Sequence, residues 1–131
     1  MAVTATPIFT QTPKNAFGQT ATANTNRDGT GTIATVVTAG ANGAKVFTIV
    51  VEATVTTTAG TVRLYHSNDG GTTWRVFEEI TVPVVTASAS VAAFRWEKSY
   101  ENLVLVATNG KIGFAPHNAE SFACSAFYGD Y

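Results

Sequence analysis

The sequence predicts an all-β fold, a single β-sandwich (jelly-roll or Ig-like) of about seven to eight antiparallel strands behind an extended N-terminal arm. Three observations point there. Thr, Ala and Val dominate, while Leu occurs only as Leu64, Leu103 and Leu105, a bias toward the β-branched residues that suit a pleated surface. Short alternating apolar runs recur at a spacing of about 8–15 residues, with no stretch of helical period. Glycines cluster with Asn and Asp between those runs, where turns need positive φ or side-chain acceptors.

Residues 1–30 form the first element, an extended arm. They carry Pro7 and Pro13, many Thr, Ala and Asn, and charges only at Lys14, Arg27 and Asp28. Ile8, Phe9 and Phe17 stand alone in this polar stretch as apolar anchors, too few for a core of their own, and are the candidate partner contacts. Two readings stay open: an arm docking on a neighbour, or an edge strand folded onto its own sandwich. The sandwich domain then occupies residues 31–131.

Thr32–Thr38 reads as its first strand, ended by the loop Ala39-Gly40-Ala41-Asn42-Gly43. Lys45–Val55 follows, with Phe47, Ile49, Val51, Ala53 and Val55 expected on the core face and Thr48, Glu52 and Thr54 on the other. Val62–Ser67 and Thr73–Val82 flank Asn68-Asp69-Gly70-Gly71, a hairpin signal. Glu78 shares parity there with Trp74, Val76, Ile80 and Val82, which requires a bulge near Glu78-Glu79 or an inward glutamate with a partner; the bulge is preferred. Pro83 ends that run. Ser90–Glu97 alternates, Leu103–Ala107 is continuously apolar and expected to be buried on both faces, and Lys111–Ala115 and Ser121–Tyr128 complete the set.

Charge and chemistry narrow the function. Eight basic and nine acidic residues give a net charge of −1, so no basic footprint for nucleic acid is present. The charged share of 13% is about half the usual roughly 25%. No apolar run reaches the roughly 18 residues of a membrane span, and the N-terminus lacks the pattern of a signal peptide. The single cysteine, Cys124, makes no internal disulfide and alternates with Phe122 and Ala126 as a buried, inert thiol. His66 and His117 are the histidines, without a nucleophile motif, a metal-spaced cluster or a phosphate-cradling loop around them. No enzyme activity, cofactor or metal is therefore expected. A carbohydrate platform built from Trp74, Trp96, Tyr65, Tyr100, Tyr128 and Tyr131 is an alternative binding function.

Ser67-Asn68-Asp69-Gly70-Gly71-Thr72-Thr73-Trp74 matches the Asp-box pattern Ser-x-Asp-x-Gly-x-Thr-Trp. The match resembles a hairpin found in sialidases and related propellers, and it implies a structural role. Ser67, Asp69, Gly71, Thr73 and Trp74 would form the turn, with Asp69 accepting from turn N–H groups and Trp74 covering them.

Three further segments carry a second resemblance: Ala23-Asn24-Thr25-Asn26-Arg27-Asp28-Gly29-Thr30-Gly31, Thr57-Thr58-Ala59-Gly60-Thr61-Val62-Arg63-Leu64-Tyr65, and His117-Asn118-Ala119-Glu120-Ser121-Phe122 with the final Gly129-Asp130-Tyr131. Together they resemble small proteins encoded among the structural genes of tailed bacteriophages, in matching order from about Ala21 to Tyr131. The resemblance implies a virion component assembled in the bacterial cytoplasm. A capsid decoration (cement) protein on the major capsid protein is the leading reading, and a head–tail or tail structural protein the alternative. Homo-oligomers are expected, and no nucleic-acid or membrane partner. No active-site residue transfers.

Overall fold

A computed structural model gives the fold and describes residues 9–131. Eight strands follow in chain order: β1 (Thr12–Thr20), β2 (Ala34–Thr38), β3 (Ala44–Ala53), β4 (Gly60–Ser67), β5 (Arg75–Val82), β6 (Arg95–Leu105), β7 (Lys111–Pro116) and β8 (Phe122–Asp130). They build two four-stranded sheets, ordered β1-β8-β3-β6 and β2-β7-β4-β5. Every ladder is antiparallel. The pairs β1·β8, β2·β7, β3·β6 and β4·β5 amount to one long ribbon of strands folded back on itself. Rolling that ribbon creates the remaining ladders, β3·β8 and β4·β7. The core lies between the sheets, with Val37, Val46, Ile49, Val51, Val62, Leu64, Ile112, Phe114 and Phe122 all but sealed from solvent.

The strand count matches the expectation, but the strands are not all the expected ones. From Thr12 onward the N-terminal segment is an edge strand of the sandwich, paired along its whole length with β8. Lys14 fixes it further through an ion pair with Asp130 at 2.6 Å. Of the two readings left open for this segment, Thr12–Thr20 takes the edge strand; the alternation of Ala16, Gly18 and Thr20 toward the core was masked by the small size of those residues. Ile8 lies outside the described residues, while Phe9 and Phe17 are exposed.

Ser90–Glu97 and Leu103–Ala107 are not two strands. Regular pairing starts at Arg95 and runs through Leu105 as the single strand β6, at the edge of its sheet. An edge strand has one solvated side, so Val104 and Val106 are exposed and only Leu105 is buried; the expectation of burial on both faces fails.

Two bulges explain the remaining differences. The β3 ladders shift register between Val46 and Thr48, so Ala44 and Val46 point inward before Phe47, and Ile49, Val51 and Ala53 after it. Phe47 is thereby turned out of the core, 40% exposed, against the parity read from sequence. On β5, Tyr65 faces Val76 while Leu64 faces Glu78, leaving Phe77 as the extra residue. The preferred bulge is present one residue from where it was expected, and the inward glutamate is present too. Glu78 accepts from Lys98 Nζ at 2.8 Å and Tyr100 Oη at 3.2 Å.

Candidate functional site

The two outer faces of the sandwich are treated differently by the chain. Residues 21–33 leave β1 and cross the outer face of the β2-β7-β4-β5 sheet as a strap. Asn24, 4% exposed, organises it: its side-chain amide donates to the carbonyls of Thr30 and Thr32, and its oxygen accepts from the Asn26 N–H, each at 3.0 Å. The strap is tied down by the Asn24 N–H donating to Pro116 O at 2.8 Å and by Tyr65 Oη donating to Asn26 O at 2.9 Å. Beneath and beside it lie the buried Arg63 and a small apolar cluster of Tyr65, Trp74 and Ala115 with Ile33 and Val76. Gly29 has φ +88°, and a Cβ there would sit 2.0 Å from the Trp74 carbonyl oxygen, so only glycine lets the strap approach this closely.

The Asp-box hairpin joins the same side. Ser67 Oγ donates to Asp69 Oδ1 at 2.8 Å and accepts from the Gly71 N–H at 3.0 Å, while Asp69 Oδ1 accepts from the Thr73 N–H at 2.8 Å. Those donors, the Thr73 backbone foremost, hold the Asp69 carboxyl below the usual carboxylate range. Gly70 and Gly71 turn the chain with φ of +76° and +94°. Trp74 packs over Gly71 on one side and into the Tyr65 cluster on the other. All five turn residues thus have internal structural partners. The end of this hairpin holds an open depression of about 240 Å³ lined by His66, Ser67, Asn68, Asp69, Thr73 and Arg75. That is below the roughly 300–1,000 Å³ of small-molecule pockets.

The segments behind the phage resemblance, apart from the final Gly129-Asp130-Tyr131 at the β1–β8–β3 ladder, meet in space. His117 N donates to Thr61 O, Asn118 reaches Thr58 Oγ1 and Ala59 O, and Glu120 accepts from the Thr58 N–H. With the strap seated on Arg63, Tyr65 and Pro116, these contacts make one continuous framework of loop and strap. What the segments share is architecture.

The opposite outer face, on β1-β8-β3-β6, carries no strap among the described residues. Its side chains follow from the registers as four cross-strand rows. Pro13, Gly129, Lys45 and Val104 form the first; Asn15, Phe127, Thr48 and Ser99 the second; Phe17, Ser125, Val50 and Glu97 the third; Gln19, Ala123, Glu52 and Arg95 the fourth. Phe17 is 78% exposed and Phe127 47%, and the bulged Phe47 joins them. Thr10 packs on Gly129 at one corner. Charge lies at Lys45 and Glu52 at opposite ends of β3, and on the edge strand β6 at an Arg95–Glu97 ion pair (3.2 Å) and the exposed Glu101. Three exposed aromatic rings on neighbouring strands of one face, set among polar residues, are the apolar feature an interaction surface presents. Phe17 was legible as a contact residue; Phe47 was assigned to the core, and Phe127 carried no signal until its register was known.

Nucleophilic chemistry finds no footing in the thiol, because burial pushes the Cys124 pKa up to about 12. His66 packs edge-on against Phe77 at 5.7 Å. No group of three or more His, Cys, Asp or Glu side chains able to hold a metal occurs among the described residues. Five of the six aromatics considered as a sugar platform are drawn inward: Tyr65, Trp74 and Tyr128 are buried, and Trp96 and Tyr100 pack against the main core, while Tyr131 is half-buried at the end of the chain described. Comparison with protein-family models and with the curated proteins returns no match to this chain.

Proposed function

We propose that this chain is a non-enzymatic structural component of a tailed-phage virion. On this reading it is a capsid decoration (cement) protein that binds the major capsid protein lattice, with a head–tail or tail position as the alternative. The observation that carries the reading is the asymmetry between the faces. Among the described residues, one sheet is closed by the chain's own strap, whereas the other leaves three phenylalanines exposed, with charge only at the ends of β3 and along the edge strand β6. A protein that acts by contact needs such a face and no catalytic group.

Two features support the reading. The ribbon of pairs with sheet orders β1-β8-β3-β6 and β2-β7-β4-β5 favours the jelly-roll reading of the sandwich over the Ig-like one, and jelly rolls serve viral capsid proteins as well as lectins and cupins. Fold alone does not choose among those; the resemblance of the strap and loop segments to phage structural proteins is what favours the first. A buried free thiol also suits assembly in a reducing cytoplasm. Repeated weak contacts at lattice spacing raise avidity without a deep site.

Co-sedimentation of the purified chain with particles of the phage that encodes it tests the reading. Saturable binding in fixed ratio to the major capsid protein is expected. Binding restricted to the neck or tail would select the alternative, and no binding to any virion structure would overturn both.

A further inference from the structure

We propose that the uncovered face of the β1-β8-β3-β6 sheet is occupied by the same face of a second copy of this chain, in an isologous pair with its two-fold axis across the strands. The inference rests on the virion reading above for its setting and names the neighbour that the face takes. Its warrant is the placement of charge. Lys45 and Glu52 lie at opposite ends of β3, in the first and fourth rows, and Thr48 and Val50 occupy the rows between. Stacking two copies about an axis that lies between the second and third rows sets Lys45 opposite the partner's Glu52, twice over by symmetry. An axis along the strands instead leaves these charges unpaired or sets like on like.

The same operation fits the shapes. Phe127 comes over the partner's Ser125, and Phe17 over the partner's Asn15, so each large ring meets a smaller residue. The charges of β6, the Arg95–Glu97 pair and Glu101, fall at the rim on the edge strand, where they stay solvated. Four strands at about 4.8 Å and four rows spanning about 20 Å give a footprint on the order of 400 Å² per copy. Interfaces of that size sit at the low end of specific association, so the pair is weak and concentration-dependent. Lattice spacing would supply the effective concentration it lacks in solution.

Sedimentation equilibrium of the full chain, over a concentration range reaching about millimolar, reads the pair directly. A reversible monomer–dimer equilibrium is expected, with a dissociation constant raised about tenfold by Lys45→Glu or by Glu52→Lys alone. The double variant, which re-forms the pair in reverse, is expected to return to near the parent value. Phe17→Ser, whose ring is 78% exposed, should weaken the dimer by about tenfold or more while leaving circular dichroism and melting near the parent's. A chain that stays monomeric throughout, or a dimer indifferent to these variants, overturns the inference. If such a chain still saturates particles, the virion reading stands and the face belongs to a capsid subunit; if it does not, both fall.

Discussion

Replacing Asn24 by alanine is expected to loosen the strap and cost the protein about 3 kcal/mol. The side chain makes three hydrogen bonds of 3.0 Å, to Thr30 O, Thr32 O and the Asn26 N–H. Each contributes about 1 kcal/mol net, and more where a buried partner is left without a substitute. Water can reach some of the freed groups because the strap is otherwise exposed, which holds the total near 3 rather than above it. For a domain of 131 residues this corresponds to a fall in melting temperature of about 10 °C. Differential scanning calorimetry gives the stability change. Tryptophan emission reports the location, because Trp74 lies under the strap's neighbourhood, 9% exposed, and its emission should shift to the red. Asn24→Asp keeps an acceptor for Asn26 but sets a carboxylate against two carbonyls, so it should be at least as damaging. A melting point lowered by less than about 3 °C in both variants would refute Asn24 as the strap's organiser.

Four further outcomes follow from the same structure. Gly29→Ala forces a Cβ into the Trp74 carbonyl at positive φ and should destabilise by about 2 kcal/mol or more in urea melts; a neutral change would contradict the close approach. Cys124 should resist a thiol reagent in the native protein at neutral pH and react fully once unfolded, whereas stoichiometric native reaction would deny its burial. Asp69 is held below the usual carboxylate range, so its contribution is present above the unfolded pKa and is lost as pH falls through the folded one. Asp69→Ala should therefore melt below the parent at pH 7 and converge with it in strong acid; a constant gap would refute the charge-dependent contacts. Deleting residues 2–18 removes most of β1 from its ladder with β8 and should lower the melting temperature sharply, while an unchanged melt would restore the independent arm.

The all-β class, the hairpin at Ser67–Trp74 and the inward thiol were legible because each depends on local pattern. Strand order was not, since alternation says which face a residue takes and nothing about its neighbour across the sheet. The errors fall where tertiary structure overrides period. Phe47 reads as core because Phe47, Ile49, Val51 and Ala53 share parity, and only the bulge after Val46 removes it. β1 reads as an arm because its inward residues are small, with Gly18 fitting against Thr35 and Phe114 where a larger side chain would signal burial. Leu103–Ala107 reads as a central strand because apolar residues on an edge look the same in sequence as those in a centre. The contact face was half legible: Phe17 stood out as an isolated aromatic, whereas Phe127 joined it through a pairing that no periodicity reveals.

The most direct measurement is the copy number of this chain in purified particles of the phage that encodes it, by quantitative mass spectrometry, for the parent and for Phe17→Ser/Phe47→Ser/Phe127→Ser. A virion component acting through its uncovered face should be present in many copies, in a fixed ratio to the major capsid protein, and be lost from particles carrying the triple variant although that variant folds. Particles that contain none of the parent chain would contradict the virion assignment, and particles that retain the variant at full ratio would contradict the role of the face.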